Sequence, residues 1–483
     1  MKHKLHLPKR ALGLALMTAV ALTAVLTAAA GSQAATPNGG RYIVSPQVSG
    51  PQAKLPGAQD TFGCQSRDFN TNPNPRCYTP QQLWQAYGFS GLLASGDNGS
   101  GKTIVIIDAF GSPTIKTDLQ DFDRDMGLPN TTLNVIPVGN VPPFDINDDN
   151  MVGWAEETSL DVQWAHAIAP GATIDLVEAA SNNDADILAA TKYAIDNKLG
   201  DVISQSFGEA EACVSPASVI PEEHALFAKA TSEGMTLFAS SGDSGASQPA
   251  CAGDGAVLSA STPASDPNVT GVGGTSLNLT DDPTGTATVP SGSRVSETAW
   301  TEFKFGCNPP ALDFPFDINC SGGGFSSLYA MPSWQAPLVQ KYGQLNAGPP
   351  ERGVPDVSYN AGSNGGVLTH IGFLLPLFGF GQDDPVYFIV GGTSAGSPQW
   401  AGLAADADQM AGHDLGNING SLYRLAQNPK TYGANFFDIT QGNNDVAELG
   451  PAGFNAGTGW DAVTGLGTPN AASLVPDLVA ASH

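Results

Sequence analysis

The sequence predicts an α/β fold with a mainly parallel central sheet and helices on both faces. Two patterns point there: short apolar runs of strand length recur along the chain, and helical stretches separate them. A third observation, that 41% of residues are hydrophobic, supplies material for a large core and excludes disorder as a description of the whole.

Taken in order, Pro80 to Tyr87 reads as a short helix, and Thr103-Ile104-Val105-Ile106-Ile107-Asp108 as a buried strand. A helix from about Glu156 to Ala167 precedes a second strand, Ala172 to Val177. Asp201-Val202-Ile203-Ser204 is a third strand and Thr236-Leu237-Phe238-Ala239 a fourth, with a helical stretch from Glu222 to Ala230 between them. The Gly-, Pro- and Ser-rich stretch 280–350 predicts loops. A final strand, Tyr387 to Val390, runs into a helix from about Ser394 to Ala407. One domain over 79–483 accommodates the series.

Upstream, Lys2, Lys4, Lys9 and Arg10 precede an apolar run from Ala11 to Ala30, followed by Ser32-Gln33-Ala34. That order predicts a signal peptide over 1–34 rather than a membrane anchor, and so a secreted protein. Residues 35–78 lack sustained periodicity and read as an extension or short pro-segment. All six cysteines lie beyond the signal, which favours disulfides in an exported chain. Neighbour pairing (Cys64–Cys77, Cys213–Cys251, Cys307–Cys320) is the simplest connectivity. The apolar run Ile371 to Phe380 is too short to span a bilayer, so no membrane association is expected once the signal is removed. A monomer is expected.

Acidic residues number 46 against 20 basic, for a net charge of −26. Such a surface repels phosphate backbones and anionic lipid, which argues against nucleic-acid and membrane-surface roles. The scarcity of Lys and Arg suits acid, where neutral carboxyls leave few like charges to repel one another.

Three local patterns could carry chemistry. In Gly391-Gly392-Thr393-Ser394-Ala395-Gly396, a strand ends in glycines and a serine heads an apolar helix, exposing a hydroxyl at a strand-to-helix turn. A plain helix cap has the same local pattern. A serine nucleophile needs a base, and no histidine stands in a Gly-rich context. His166, at a helix end before Pro170, reads as compensating the helix dipole. Glu157 and Asp161, four apart, project from one helix face. Flanking Trp154, Leu160, Val162 and Trp164 argue for partial burial, where two carboxyls share protons. Asp243, in Ser240-Ser241-Gly242-Asp243-Ser244-Gly245, follows a buried strand at the sheet's carboxyl edge, where ligands of α/β sheets bind. A neutral Asp there could donate to an oxyanion, though Asp-Ser-Gly is also an ordinary turn.

Together the three motifs resemble the sedolisin, or serine-carboxyl peptidase, family, whose fold is similar to subtilisin's. They stand here as Glu157-Thr158-Ser159-Leu160-Asp161, Ser240-Ser241-Gly242-Asp243 and Gly392-Thr393-Ser394-Ala395, in the family's order. The resemblance implies a subtilisin-like fold and protein or peptide substrates hydrolysed in acid. It assigns Ser394 as nucleophile, Glu157 as general base, Asp161 as the carboxyl supporting it and Asp243 as oxyanion stabiliser. It also implies a structural calcium ion held by Asp438 and Asp461 with backbone carbonyls of Ile439, Gly457 and Gly459. Asp108 stands where ordinary subtilisins carry a triad aspartate; without a matching histidine it reads as structural. Family members usually carry a long prodomain, whereas only a short stretch separates the signal from the first helix here, which leaves open how latency is kept. The segment His370 to Asp384 reads either as a flap near the cleft or as a buried packing loop. The competing readings are a neutral Ser-His-Asp protease using Asp108 and a histidine, and a non-catalytic secreted binding protein on this fold.

Overall fold

A computed structural model of the chain describes residues 40–44, 46–53, 62–65, 76–215, 218–249, 251, 256–280, 292–302, 319–342, 351–445 and 453–482. The signal peptide expected over 1–34 and Cys307 lie outside the described residues.

The chain forms the expected α/β architecture around an eight-stranded sheet. In spatial order its strands are Arg294–Ala299, Thr270–Leu279, Thr236–Ser240, Val202–Gln205, Thr103–Ala109, Thr173–Ala179 and Leu133–Val138, with Val357–Asn360 paired to Thr270–Leu279. All pairings are parallel except that of Arg294–Ala299. Alternation along each strand divides the core. Ile104, Ile106, Leu176 and Phe238 face the helices Asp149–Ile168 and Gly396–Ala411. Val105, Ile107, Val177 and Leu237 face Asp184–Asp196 and Val219–Ser232.

The helix Asp149–Ile168 begins seven residues before the expected start, because Asp148 caps it by accepting from Asn150 N (3.0 Å) and Met151 N (3.2 Å). From Trp154 onward every residue is buried, so the helix runs through the core and carries Glu157, Thr158, Ser159 and Asp161 into it.

Two expectations need correction. The strand Val386–Gly391 belongs to a separate four-stranded sheet, antiparallel to Gln47–Ala53 and to Gly366–Thr369, which itself pairs with Cys77–Tyr78. The segment between Gly366–Thr369 and Val386–Gly391, which carries a short 3₁₀ helix Leu375–Phe378, returns the chain in the opposite direction beside its predecessor, so the pair is antiparallel. Within 280–350, the strands Arg294–Ala299 and Gly324–Ala330 and the helix Ala336–Tyr342 replace the expected loops. Ser296, Gly324, Ser326 and Ser327 sit in these short strands.

Part of the expected N-terminal extension also forms strands, since Gln47–Ala53 pairs along Val386–Gly391. Cys64–Cys77 and Cys213–Cys251 form two of the three expected disulfides, and Cys320 is disulfide-bonded. No helix among the described residues is long and apolar enough to cross a membrane.

Candidate active site

Four elements converge on Ser394. The serine lies in a single 3₁₀ turn, Thr393–Ala395, between the strand Val386–Gly391 and the helix Gly396–Ala411. Gly392 enters that turn at φ +117°, and a Cβ there would stand 2.7 Å from Asp243 Oδ2, so both backbone and space require glycine. The Ser394 hydroxyl donates to Ser206 O (3.2 Å) and Ser206 Oγ returns a bond to Ser394 O (3.3 Å). Ser206 follows the parallel strand Val202–Gln205, so the nucleophile candidate is tied to the carboxyl edge of the main sheet.

Glu157 and Asp161 are fully buried one helical turn apart. Ser394 lies close enough to favour the ionised form of Glu157, yet neither Glu157 oxygen has a partner at hydrogen-bonding geometry. The geometry decides: Ser394 is a neighbour of Glu157 whose hydroxyl must turn from Ser206 O to engage it. Such loose contacts are common before substrate binds. Ser206 likewise neighbours Asp161, whose oxygens are also unpartnered.

Asp108, at the end of the strand Thr103–Ala109, joins this cluster. It is fully buried beside Asp161 and Thr158, with both oxygens unpartnered. Burial first, and then mutual repulsion, push the carboxyls of Glu157 and Asp108 well above their ordinary range; burial does the same to Asp161. The three therefore titrate as a unit. Sequence reading set Asp108 aside for want of a histidine; the missed signal was its place at the carboxyl end of a central strand, where the site had to lie.

Asp243 reaches the Thr393–Ala395 turn from the turn after the strand Thr236–Ser240. Its Oδ1 accepts from Thr393 N (2.8 Å) and Thr393 Oγ1 (2.6 Å), while Oδ2 is covered and unpartnered. With Oδ1 occupied by two donors, a proton on this carboxyl belongs on Oδ2. Burial raises Asp243 to about 6, against the lowering effect of the two Thr393 bonds.

The described histidines pair elsewhere. His166 meets Asp123 (2.9 Å) and the Pro129 carbonyl, His224 meets Asp266 (2.7 Å), and His370 meets Asp118 (3.2 Å). His413 contacts the neighbouring carbonyl of Asp414. The segment His370–Asp384 packs in part against the main core, as a buried packing loop would. Ile371 and Leu375 are buried in the main core, while Leu377 and Phe380 are exposed at its tip.

The two segments named for calcium, 438–439 and 457–461, are joined by backbone donors to Asp438. Gly459 N donates to both oxygens of Asp438 (3.0 Å each), and Gly457 N to Asp461 Oδ2 (2.9 Å). Val463 N and Thr464 N hold Asp461 Oδ1 (3.0 and 2.8 Å). Burial raises both carboxyls, Asp461 to about 7, and among the described residues no cationic side chain offsets it. A buried carboxylate and a half-buried one, without a counter-cation among the described residues, fit a hard cation. Among the described residues, no group of three or more His, Cys, Asp or Glu side chains is arranged to hold a metal, so backbone oxygens would have to complete the shell.

No family model matches the chain. It is 33% identical over 409 residues to kumamolisin from Bacillus sp. (strain MN-32), covering 84% of this chain and 64% of that protein. It is 30% identical over 387 residues to sedolisin from Pseudomonas sp. (strain 101), covering 79% of this chain and 58% of that one. The chain thus spans about three-fifths of the length of these curated relatives. Among solved structures, Pseudomonas sedolisin, a serine-carboxyl proteinase complexed with two molecules of pseudo-iodotyrostatin, superposes with a TM-score of 0.67 at 29% identity, covering 83% of this chain and 98% of the other. A subtilisin-like α/β frame with a buried serine and carboxyls at its sheet edge is the class these observations define. The chain belongs to the sedolisin family.

Proposed function

We propose that the protein is a secreted, acid-acting serine-carboxyl peptidase. The observation that carries this reading is a buried serine flanked by an unpartnered carboxyl pair on one side and an unpartnered carboxyl oxygen on the other, with no described histidine in reach. Ser394 Oγ attacks the carbonyl carbon of the scissile peptide as its proton passes to Glu157. The oxyanion accepts a hydrogen bond from protonated Asp243 Oδ2. As the intermediate collapses, the C–N bond breaks and Glu157 returns the proton to the leaving amine. Water then repeats the sequence on the acyl-enzyme.

Glu157 works as a base only if the cluster carries one negative charge in acid. Asp161 and Asp108 kept protonated remove the like charges that would suppress ionisation of Glu157, and protonated Asp161 offers its hydroxyl toward the base. The charge thus belongs to the three-carboxyl unit and resides on Glu157 when the serine hands over its proton. A neutral Asp243 is needed at the same pH, which confines activity to acid.

The disulfides are consistent with an extracellular location. A calcium ion bound by Asp438, Asp461 and the carbonyls of Ile439, Gly457 and Gly459 would brace the C-terminal loop, away from the chemistry. Protein or peptide substrates follow from the reaction, and the acidic net charge argues against a nucleic-acid partner. We take the acting unit to be a monomer of one peptidase domain, 79–483, preceded by a signal peptide and an extension. Labelling with a serine-directed acylating probe at pH 4 tests the reading: Ser394 is modified, and Ser394→Ala abolishes the label. A folded protein with an unlabelled Ser394 would favour the non-catalytic binding role.

A further inference from the structure

His370 stands at the start of the loop that joins the strand Gly366–Thr369 to Val386–Gly391, the strand that leads to Ser394. Its ring is wholly buried, and both ring nitrogens face acceptors: Nδ1 meets Asp118 Oδ1 (3.2 Å) and Nε2 meets the carbonyl of Asp384 (3.2 Å). A neutral imidazole carries one N–H and cannot serve two acceptors, whereas the imidazolium serves both. The Asp118 carboxylate is taken up by the same arrangement. Its Oδ1 also accepts from Gly372 N (3.1 Å), and its Oδ2 from Thr114 Oγ1 (2.7 Å). The fit is close: a Cβ on Gly372 would stand 2.5 Å from Asp118 Oδ1.

The two bonds span the loop. Asp118 lies on the helix Ile115–Met126 and anchors the loop's entry, while Asp384 ends its exit. The entry is packed, with Ile371, Phe373, Leu374 and Leu375 buried. The exit, Gly381–Asp384, is exposed, and among the described residues the one hydrogen bond that reaches it from across the loop comes from His370 Nε2. Behind the ring, the chain is tied to the helix that carries Glu157 and Asp161. Gln163 donates to His370 O (2.8 Å) and accepts from His370 N (2.8 Å), and Trp164 Nε1 donates to Leu368 O (3.2 Å). Neither Gln163 nor Trp164 titrates. The other titrating groups around the ring are engaged elsewhere. Tyr387 packs edge-on against it (5.2 Å) and donates to Asp125 Oδ2 (3.0 Å), Arg124 pairs with Asp121 and Asp125, and the Asp384 side chain accepts from Gly381 N (2.7 Å). Asp118 is thus the carboxylate that balances a charge on His370.

We propose that His370 is a proton-operated latch: doubly protonated, it staples Asp384 to Asp118 and holds the loop 371–384 shut, and loss of its proton frees the loop's exit. The carboxylate is the stronger acceptor, so the proton that stays is the one on Nδ1, and the bond lost is that to Asp384. A nitrogen lone pair then faces a carbonyl oxygen, and the exposed exit turns that carbonyl to water. Burial pulls the imidazole down, but the bond to Asp118 and its charge outweigh this, so His370 titrates above its ordinary 6.5. A raised value means that the staple is complete below it and is lost as pH rises through it. Burial also raises Asp118 above 3.8, against the lowering by His370, and this sets the acid limit of the ion pair. The latch is therefore shut in mild acid and open on the alkaline side. It acts on the loop that feeds the strand leading to Ser394, and it does not depend on the peptidase reading.

Two measurements test it on the full chain carrying Ser394→Ala, which prevents self-digestion. In NMR of nitrogen-labelled histidine, His370 is identified by the signals missing from a His370→Gln chain. It is expected to carry protons on both ring nitrogens at about pH 5 and on Nδ1 alone at about pH 8. Hydrogen exchange read by mass spectrometry, corrected for the intrinsic rate, is expected to quicken in 371–384 by at least about tenfold between those two conditions, while the helix Asp149–Ile168 stays protected. In His370→Gln, whose amide does not titrate, the corrected exchange of the loop is expected to be the same in both. A single protonated nitrogen in acid, an unsubstituted loop whose corrected exchange does not change with pH, or a change that persists in His370→Gln overturns the proposal and makes His370 a packing residue. The exchange of the unsubstituted loop decides the matter even where His370→Gln does not fold.

Discussion

Asp243 shows how one carboxyl is fixed in the form the chemistry requires. Thr393 engages Oδ1 twice, so the proton and the donor role fall to Oδ2. Replacing Asp243 by Ala should lower kcat by about 10²–10³-fold, the usual consequence of removing an oxyanion donor. Asp243→Asn keeps a donor that does not titrate. Because Asp243 loses its proton at about 6, the wild-type rate should fall as pH rises through that value, and the Asn variant should hold its rate to higher pH. Steady-state kinetics between about pH 3 and 8 read both effects. At this scale the sequence was informative where residues act on near neighbours: the four-residue spacing of Glu157 and Asp161 placed them together. Ser206 escaped notice and Asp108 was set aside as structural, because their contribution depends on a strand order that no local pattern encodes.

At the scale of elements, the C-terminal loop closes on itself through backbone N–H groups donated to Asp438 and Asp461. If a calcium ion neutralises these carboxyls, chelation should lower the midpoint of thermal unfolding by several degrees. Asp461→Asn should remove the calcium dependence and leave the pH optimum unchanged, as scanning calorimetry and peptide turnover would show. The main strands and helices were legible because apolar runs with helical stretches between them are local signals. Two features were not. The strand before Ser394 reads as one more apolar strand, and its antiparallel sheet is set by the partner Gly366–Thr369 and by a segment far upstream. That upstream segment, Gln47–Ala53, has little side-chain pattern because its attachment is through backbone bonds, which sequence periodicity does not report.

The whole molecule is built for acid. Beyond the site, burial raises Glu156 and Asp408 to about 8, Glu178 and Glu223 to about 7, and Glu209 to about 10. Each binds a proton in the folded chain at a pH where the unfolded chain, with ordinary carboxyls near 4, has lost it. The folded state therefore holds more protons between about pH 4 and 8, and stability must fall as pH rises through that window. Several shifts of this kind add up to at least several kcal/mol, so the unfolding midpoint should be about 10 °C or more higher at pH 4 than at pH 8. The net charge of −26 at pH 7 acts in the same direction, since protonation relieves its self-repulsion. Composition alone had indicated acid tolerance; what it could not indicate was that the tolerant carboxyls are buried ones, because burial is a property of the fold. The central claim, that a carboxyl cluster rather than a histidine activates Ser394, is tested most directly by the pH–rate profile of peptide hydrolysis for the wild type, Ser394→Ala and Glu157→Gln. The account predicts a rate that peaks in acid and falls by about 10³-fold or more in both variants, each still folded. A neutral optimum that survives Glu157→Gln would contradict it.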